Sequence, residues 1–331
     1  MTTETHAPAT ETDARATAPR PSRSHTTEGG MPRLHKIIFA VLLLFLVALP
    51  FAVYPIFAMK VMCFALFAAA FNLLLGFGGL LSFGHAAYFG GASYVAAHAA
   101  KVWGLTPELS ILAGTAAAAF LGLVIGSLSI RRQGIYFAMV TLAFAQMVYF
   151  LALQLPFTGG EDGIQSVPRG KLFGLISLEN NIALYFFVLA ITFGGILFLY
   201  RIVHSPFGQV LKAIRENEPR AISLGYNVSR YKLIVFVLSA TFAGLAGATK
   251  SQVFQLASLT DVHWSMSGEV VLMTLLGGMG TIFGPLLGGA MIVTMQNYLA
   301  SFGAWVTVTQ GVIFVLGVLL LREGIIGVLS R

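Results

Sequence analysis

The sequence predicts an all-α, polytopic membrane protein with about ten transmembrane helices, in a range of roughly eight to ten. Three observations carry this. Hydrophobic residues make up 57% of the 331 and charged residues 10%, where a soluble chain has roughly a quarter charged, and mean hydropathy is +0.83. Uncharged windows of about 20 residues, the length that crosses a hydrocarbon core as a helix, recur along the chain. These windows are continuously apolar rather than alternating, which excludes a transmembrane β-barrel.

Taken in order, residues 1–34 are rich in Thr, Ala, Pro and mixed charge and read as a disordered cytoplasmic tail, separate from a transmembrane domain over 35–331. The segment lacks the layout of a secretory signal. Arg33 and Lys36 flank a first span over 37–59, bent or shortened by Pro50 and Pro55. No Lys, Arg, Asp or Glu occurs between 61 and 100, which leaves room for two spans separated by the glycines between 76 and 84. Further spans are expected at 109–130, 135–155, 181–200 and 233–249, and the uncharged stretch 270–321 has room for two long or three short segments. With the N-terminus inside, alternate crossing places Arg131-Arg132 and a basic island at 201–232 in the cytoplasm. It places Gly159-Gly160-Glu161-Asp162 outside, in keeping with the positive-inside rule, and Arg322 and Arg331 favour an inside C-terminus. The net charge of +7 is spread over loops and tail, so it speaks to orientation and to lipid contact, not to nucleic acid. The single cysteine, Cys63, supports neither a disulfide nor a metal site, and no cofactor is implied.

Glycine is used in patterns. Gly122 and Gly126, and Gly280, Gly284 and Gly288, have the four-residue spacing that lets helix backbones approach closely. Two clusters are expected to break or kink helices, 76–91 (with Gly76, Gly78, Gly79 and Gly84) and 275–285 (with Gly277, Gly278, Gly280 and Gly284). Broken helices at membrane depth persist only where they are buried in protein or line a cavity. The two clusters resemble one another, as a distant internal duplication would make them.

The island carries Arg201, Lys212, Arg215, Arg220, Arg230 and Lys232 against Glu216 and Glu218. Segment 207–217 puts Val210, Leu211 and Ile214 on one helical face. Pro219 suits the first turn of a second short helix, and Gly225 is placed to end it. Two short amphipathic helices joined at 217–219 would make a knob that fits a cleft in another protein; a solvated basic loop on anionic lipid is the plainer alternative. No GxxxxGK[ST] occurs, and GLAGATKS at 244–251 lacks the required glycine before Lys250, so the chain has no phosphate-binding loop of its own. No acid, base or nucleophile cluster suggests an enzyme. An ion-coupled transporter or channel would need intramembrane charges, which are nearly absent from the spans.

Four segments together, LLGFGGLLSFGHAAYFGGASYVAA, TLAFAQMVYFLALQLPFTGGEDGI, LKAIRENEPRAISLGYNVSRYKLIVFVLSATFAGLAGA and LLGGMGTIFGPLLGGA, resemble the inner-membrane permeases of branched-chain amino-acid ABC importers, M-type subunit, over about 37–325. The resemblance implies a non-catalytic permease in the cell inner membrane, paired with an H-type permease, two cytoplasmic ATPase subunits and a periplasmic binding protein. It implies that the island is the ATPase-coupling segment, with Lys212, Arg215, Glu216, Asn217, Glu218, Arg220, Ala221, Gly225 and Arg230 as its contact set. ABC importer permeases generally carry EAA, three residues and glycine here. Counting back from Gly225, this chain has Pro219-Arg220-Ala221, with Glu218 one place early. Permeases for urea and short amides are closely similar, so the cargo is left open between these and branched-chain amino acids. Along the route, Asn72, Ser82 and His85 near the first glycine cluster, Thr141 and Gln146 in the fifth span, and Glu269 are the candidate pathway residues. For each, interhelical hydrogen bonding or an interfacial position is the competing role.

Overall fold

The computed structural model describes residues 33–299 together with 305, 308, 309, 311, 312, 314 and 315. The chain divides into two compact units, Met1–Leu42 and Leu43–Arg331. Residues 1–32 of the tail expected over 1–34, most of the last segment expected in 270–321, and Arg322 and Arg331 lie outside the described residues, while residues 33 and 34 already belong to the first helix.

The architecture is helical. Helix α1 (Arg33–Ala48) ends in a 3-10 turn at Leu49–Phe51, and α2 (Pro55–Asn72) begins four residues later. Pro55 sits in the first turn of α2, where its missing N–H would have had no partner anyway. The span expected at 37–59 is therefore corrected. Pro50 and Pro55 separate two helices instead of bending one, and Met59 belongs to α2.

α2 passes into a single π turn, Leu73–Phe77, after which the chain leaves helical structure and resumes at α3 (His85–Lys101). α4 (Pro107–Ser129) and α5 (Ile135–Gln154) follow. The connection to α6 (Asn181–His204) carries three two-residue strands, β1 (Ile164–Gln165), β2 (Lys171–Leu172) and β3 (Ile176–Ser177). The island folds as α7 (Pro206–Glu216) and α8 (Glu218–Ser223) and leads into α9 (Val228–Phe254). Then come β4 (Leu256–Ala257), α10 (Leu259–Val262), α11 (Trp264–Gly277) and α12 (Gly284–Leu299). Strand β1 pairs antiparallel with β4, and β2 with β3. Five of the described helices, α2 with its π turn, α4, α5, α6 and α9, are long and apolar enough to cross a membrane. The protein is a multi-pass, all-α membrane protein.

α2 and α9 are the most enclosed of these, and α4 and α5 the least. Small residues let the inner helices meet. A side chain at Gly244 of α9 would overlap Ala118 of α4, one at Gly122 would overlap Ala240, and one at Gly247 would run into the backbone of Phe89 in α3. Close backbone approach replaces the hydrophobic driving force that lipid cannot supply. The outward faces of α4 and α5 expose Leu112, Phe120, Leu123, Met139, Met147 and Phe150, which is the surface expected against lipid tails.

α9 sets the scale. Its 27 residues span about 40 Å, with the island at its start and β4 at its end. The loop holding Glu161 and Asp162 joins that far end through β1–β4. The turn after α4 lies at the island's end, because Gln133 donates to Glu218 at 3.4 Å. Arg131-Arg132 and the island thus share one side and the acidic turn takes the other, as alternate crossing requires.

Candidate functional site

The island is a folded knob. Ser205 caps α7 and Asn217 caps α8, each side-chain oxygen accepting an early amide of its helix, and Pro206 and Pro219 stand in the first turns. Asn227 likewise caps α9, its Oδ1 accepting from Arg230 N at 3.2 Å. The apolar face of α7 turns inward: Ile214 packs with Ala221 and Val228, flanked by Val210 and Tyr231, and Leu211 is fully buried. Glu218 forms an ion pair with Lys232 at 2.8 Å, tying α8 to α9. Gly225 closes the turn at φ +85, a conformation that glycine adopts without strain. What faces out is mixed: Glu216, Arg220 and Arg230 beside Ile222, Leu224 and Tyr226, all exposed.

The inner side of the knob reaches the glycine breaks. Arg215 Nη1 donates to the carbonyl of Gly76, and Lys212 lies over the Phe77 ring at 5.6 Å. The Arg215 stem lies against Gly79, where a Cβ would come 3.0 Å from Cγ. The second break is there too. Gly280, at φ +78, sits in the turn between α11 and α12, close to both the Arg215 guanidinium and the Gly76 carbonyl. Asn72 joins the breaks directly, its Nδ2 donating to Thr281 O at 2.7 Å and its Oδ1 accepting from Gly280 N at 2.9 Å. Gly76 packs on Asn72, Gly78 on the π turn, Gly84 precedes α3, and Gly277, Gly284 and Gly288 bring α11 and α12 together. Gly278 lies in the same turn as Gly280, outside any helix. Of the glycines spaced by four, Gly284 and Gly288 are in α12 and Gly280 is not.

The polar residues of the first break are hydrogen-bonded to nearby backbone and to other helices, not to one another. His85 is fully buried and shares a hydrogen bond with Ser239 through Nε2 at 2.9 Å. Ser239 donates its proton to Ala70 O at 2.6 Å, so His85 Nε2 is the donor in that pair and Nδ1 is left as a buried acceptor with no partner among the described residues. Ser82 accepts from Gly84 N, Thr141 accepts from Phe83 N at 3.2 Å, and Ser267 of α11 accepts from Ala86 N at 2.9 Å. The break is held from α5, α9 and α11 at once. Gln146 is half-buried on α5, apart from this network.

Glu269 belongs to another place. Gln296 of α12 donates to it at 3.1 Å, and its charged surroundings are Lys60, Lys250 and Asp261. Lys250 and Asp261 form a buried ion pair. The sequence signal for these was present but scattered: Lys250 stands out only as the lysine of a failed phosphate loop, and Lys60 as a lysine just after a proline-marked helix start. Among the described residues, no group of three His, Cys, Asp or Glu could hold a metal ion.

Residues 53–321 match the family described as branched-chain amino acid transport system / permease component. The high-affinity branched-chain amino acid transport system permease protein LivM of Salmonella typhimurium is 29% identical over 238 residues, 65% of this chain and 56% of that protein. The protein of the same name from Escherichia coli is 28% identical over 247 residues, 68% of this chain and 57% of that protein. The ribose import permease protein RbsC of Bacillus subtilis is 29% identical over 196 residues, 54% of this chain and 58% of that protein. The chain thus spans little more than half the length of these curated relatives. No solved structure matches.

Proposed function

The chain belongs to the branched-chain amino acid transport system permease family, and we propose that it is the transmembrane subunit of an ATP-binding-cassette importer for branched-chain or related amino acids. In this reading it lies in the cell inner membrane with its N-terminus in the cytoplasm and catalyses no reaction itself. ATP is hydrolysed by two separate subunits, a periplasmic protein delivers the cargo, and an H-type permease completes the pathway. The observation that carries the proposal is the knob. A solvated loop would not need three side-chain caps, an apolar interior and an ion pair to α9. A docking surface does, because only a rigid body transmits the movement of a partner.

Glu216, Arg220, Arg230, Ile222, Leu224 and Tyr226 are then the ATPase-facing set. Lys212 and the still exposed Arg215 reach the first break as the link, Asn217, Ala221 and Gly225 shape the knob, and Glu218 fastens it. The gate is the pair of glycine breaks that Asn72 and Arg215 hold together. Two packings of these breaks, close in free energy, would be biased by whether the ATPase pair is closed. The amino-acid reading is favoured over a sugar by the two branched-chain relatives, and ribose is the alternative raised by the third.

The test is reconstitution of the chain in proteoliposomes with its partner subunits and binding protein, following labelled leucine and labelled ribose. Leucine uptake that requires ATP and the ATPase subunits supports the reading. Uptake that continues without them removes it, and ATP-dependent uptake of ribose alone corrects the cargo.

A further inference from the structure

Four ionisable side chains converge from four helices toward the end of the bundle opposite the knob. Lys60 comes from α2, Lys250 from α9, Asp261 from α10 and Glu269 from α11. Lys60 and Glu269 each lie five residues after the first residue of their helix, and Lys250 lies four before the last residue of α9. The chain brings Asp261 there by turning back into the bundle after β4: Asp261 and Val262 are buried, and a side chain on Gly90 of α3 would collide with them.

The four groups are unevenly satisfied. Lys250 pairs with Asp261 Oδ1, and its ammonium also lies over Phe89 and Phe254 at 5.9 and 5.7 Å. Asp261 Oδ2 is buried without a hydrogen-bond partner among the described residues, although the residue is only 2% exposed. Among the described residues, Glu269 accepts a hydrogen bond from the neutral amide of Gln296 and forms no ion pair. Lys60 makes no ion pair among the described residues, yet it lies within electrostatic reach of the other three.

A purely structural role accounts for the Lys250–Asp261 contact. It does not account for the rest. Charge inside a membrane protein is costly and is kept where it meets an ion, a proton or a substrate, and a buried acceptor left without a donor is destabilising. One unmatched cation beside unmatched carboxylate oxygens is the complement of a zwitterion. The ammonium of an amino acid would donate to Asp261 Oδ2 and Glu269, and its carboxylate would accept from Lys60.

We propose that Lys60, Asp261 and Glu269, with Lys250 holding Asp261 in place, form a way-station that receives the charged ends of a zwitterionic α-amino acid on the outer side of the glycine breaks. This rests on the amino-acid reading above and adds the residues that would recognise the cargo. Four charges summing to zero bind such a cargo without a net charge in the pathway.

Binding is measured on the assembled transporter in lipid nanodiscs with three labelled probes: leucine, leucinamide (a cation only) and N-acetylleucine (an anion only). The wild type takes leucine in preference to either analogue. Lys60→Met weakens leucine about tenfold and leaves leucinamide unchanged, while Glu269→Gln weakens leucine about tenfold and leaves N-acetylleucine unchanged. Lys60→Arg retains leucine binding, which separates loss of charge from loss of folding. Equal losses for all three probes, or no loss in either variant, overturn the way-station while leaving the importer intact. A wild type that transports ribose and binds none of the three probes refutes the amino-acid reading and the way-station with it.

Discussion

The guanidinium of Arg215 donates to the carbonyl oxygen of Gly76, 139 residues away in sequence. One end of this contact is the knob; the other is the point where α2 stops being a helix. The carbonyl of a broken helix lacks its usual intrahelical donor, and Arg215 supplies one. In the proposed mechanism this contact is the link by which a rotation of α7 would move the first break.

The second break is tied in by Asn72, whose amide satisfies one N–H and one C=O of the Gly280–Thr281 turn. Asn72→Leu removes both partners and leaves two backbone groups unpaired. The expected loss is about 2–4 kcal/mol, read as a lowered unfolding temperature in detergent. Asn72→Asp keeps the acceptor for Gly280 N and loses only the donor to Thr281 O, so it should lose less than Asn72→Leu.

Glycines at helix crossings should separate into two classes. Gly247→Ala meets the Phe89 backbone, which cannot yield, and the expected destabilisation is at least about 1–3 kcal/mol. Gly194→Ala on α6 meets nothing within 4 Å, and the gain in helix propensity makes it neutral or stabilising by about 0.5–1 kcal/mol. Thermal unfolding of the two variants side by side reads the difference.

The ion pair between Lys250 and Asp261 predicts a strong asymmetry between single and double variants. Lys250→Met strands a buried carboxylate and should cost about 3–5 kcal/mol, whereas Lys250→Met with Asp261→Leu should recover much of that. Stability of the folded fraction on size exclusion after heating gives the comparison. Similar losses in the single and double variants would mean that the pair contributes little.

At the knob, Gly225→Pro locks φ near −65° where the turn has +85, and removes the N–H that bonds to Ile222 O at 2.9 Å. The bundle itself does not depend on this turn. Membrane insertion should therefore be normal while the ratio of cargo moved to ATP hydrolysed falls. Loss of insertion would make the knob part of the folding core.

The knob and the breaks were legible because local chemistry dictates them. Pro219, Gly225 and the spacing of Val210, Leu211 and Ile214 act within a few residues, so two short helices and their closing turn follow from the sequence alone. Glycines at 76–84 and 277–280 likewise announce interrupted helices wherever they sit. Pro50 and Pro55 were harder, since a pair of prolines five apart fits a kinked span as well as a break between two. What was not legible is whatever tertiary folding brings together. Asn72 reads as a polar residue near a pathway, and only the arrival of Gly280, 208 residues later, makes it a clamp. Lys60, Lys250, Asp261 and Glu269 come from separate helices, and no spacing rule connects them.

The most direct measurement is the coupling ratio of Arg215→Met in the reconstituted transporter, taken as leucine imported per ATP hydrolysed. The contact with Gly76 is lost while Glu216, Arg220, Arg230, Ile222, Leu224 and Tyr226 are kept. ATPase subunits should still bind and hydrolyse ATP, and the ratio should drop about tenfold, the scale expected for losing one charge-assisted hydrogen bond in a link between two states. An unchanged ratio, with uptake and hydrolysis falling together or not at all, would contradict the claim that this arginine carries movement from the knob to the breaks.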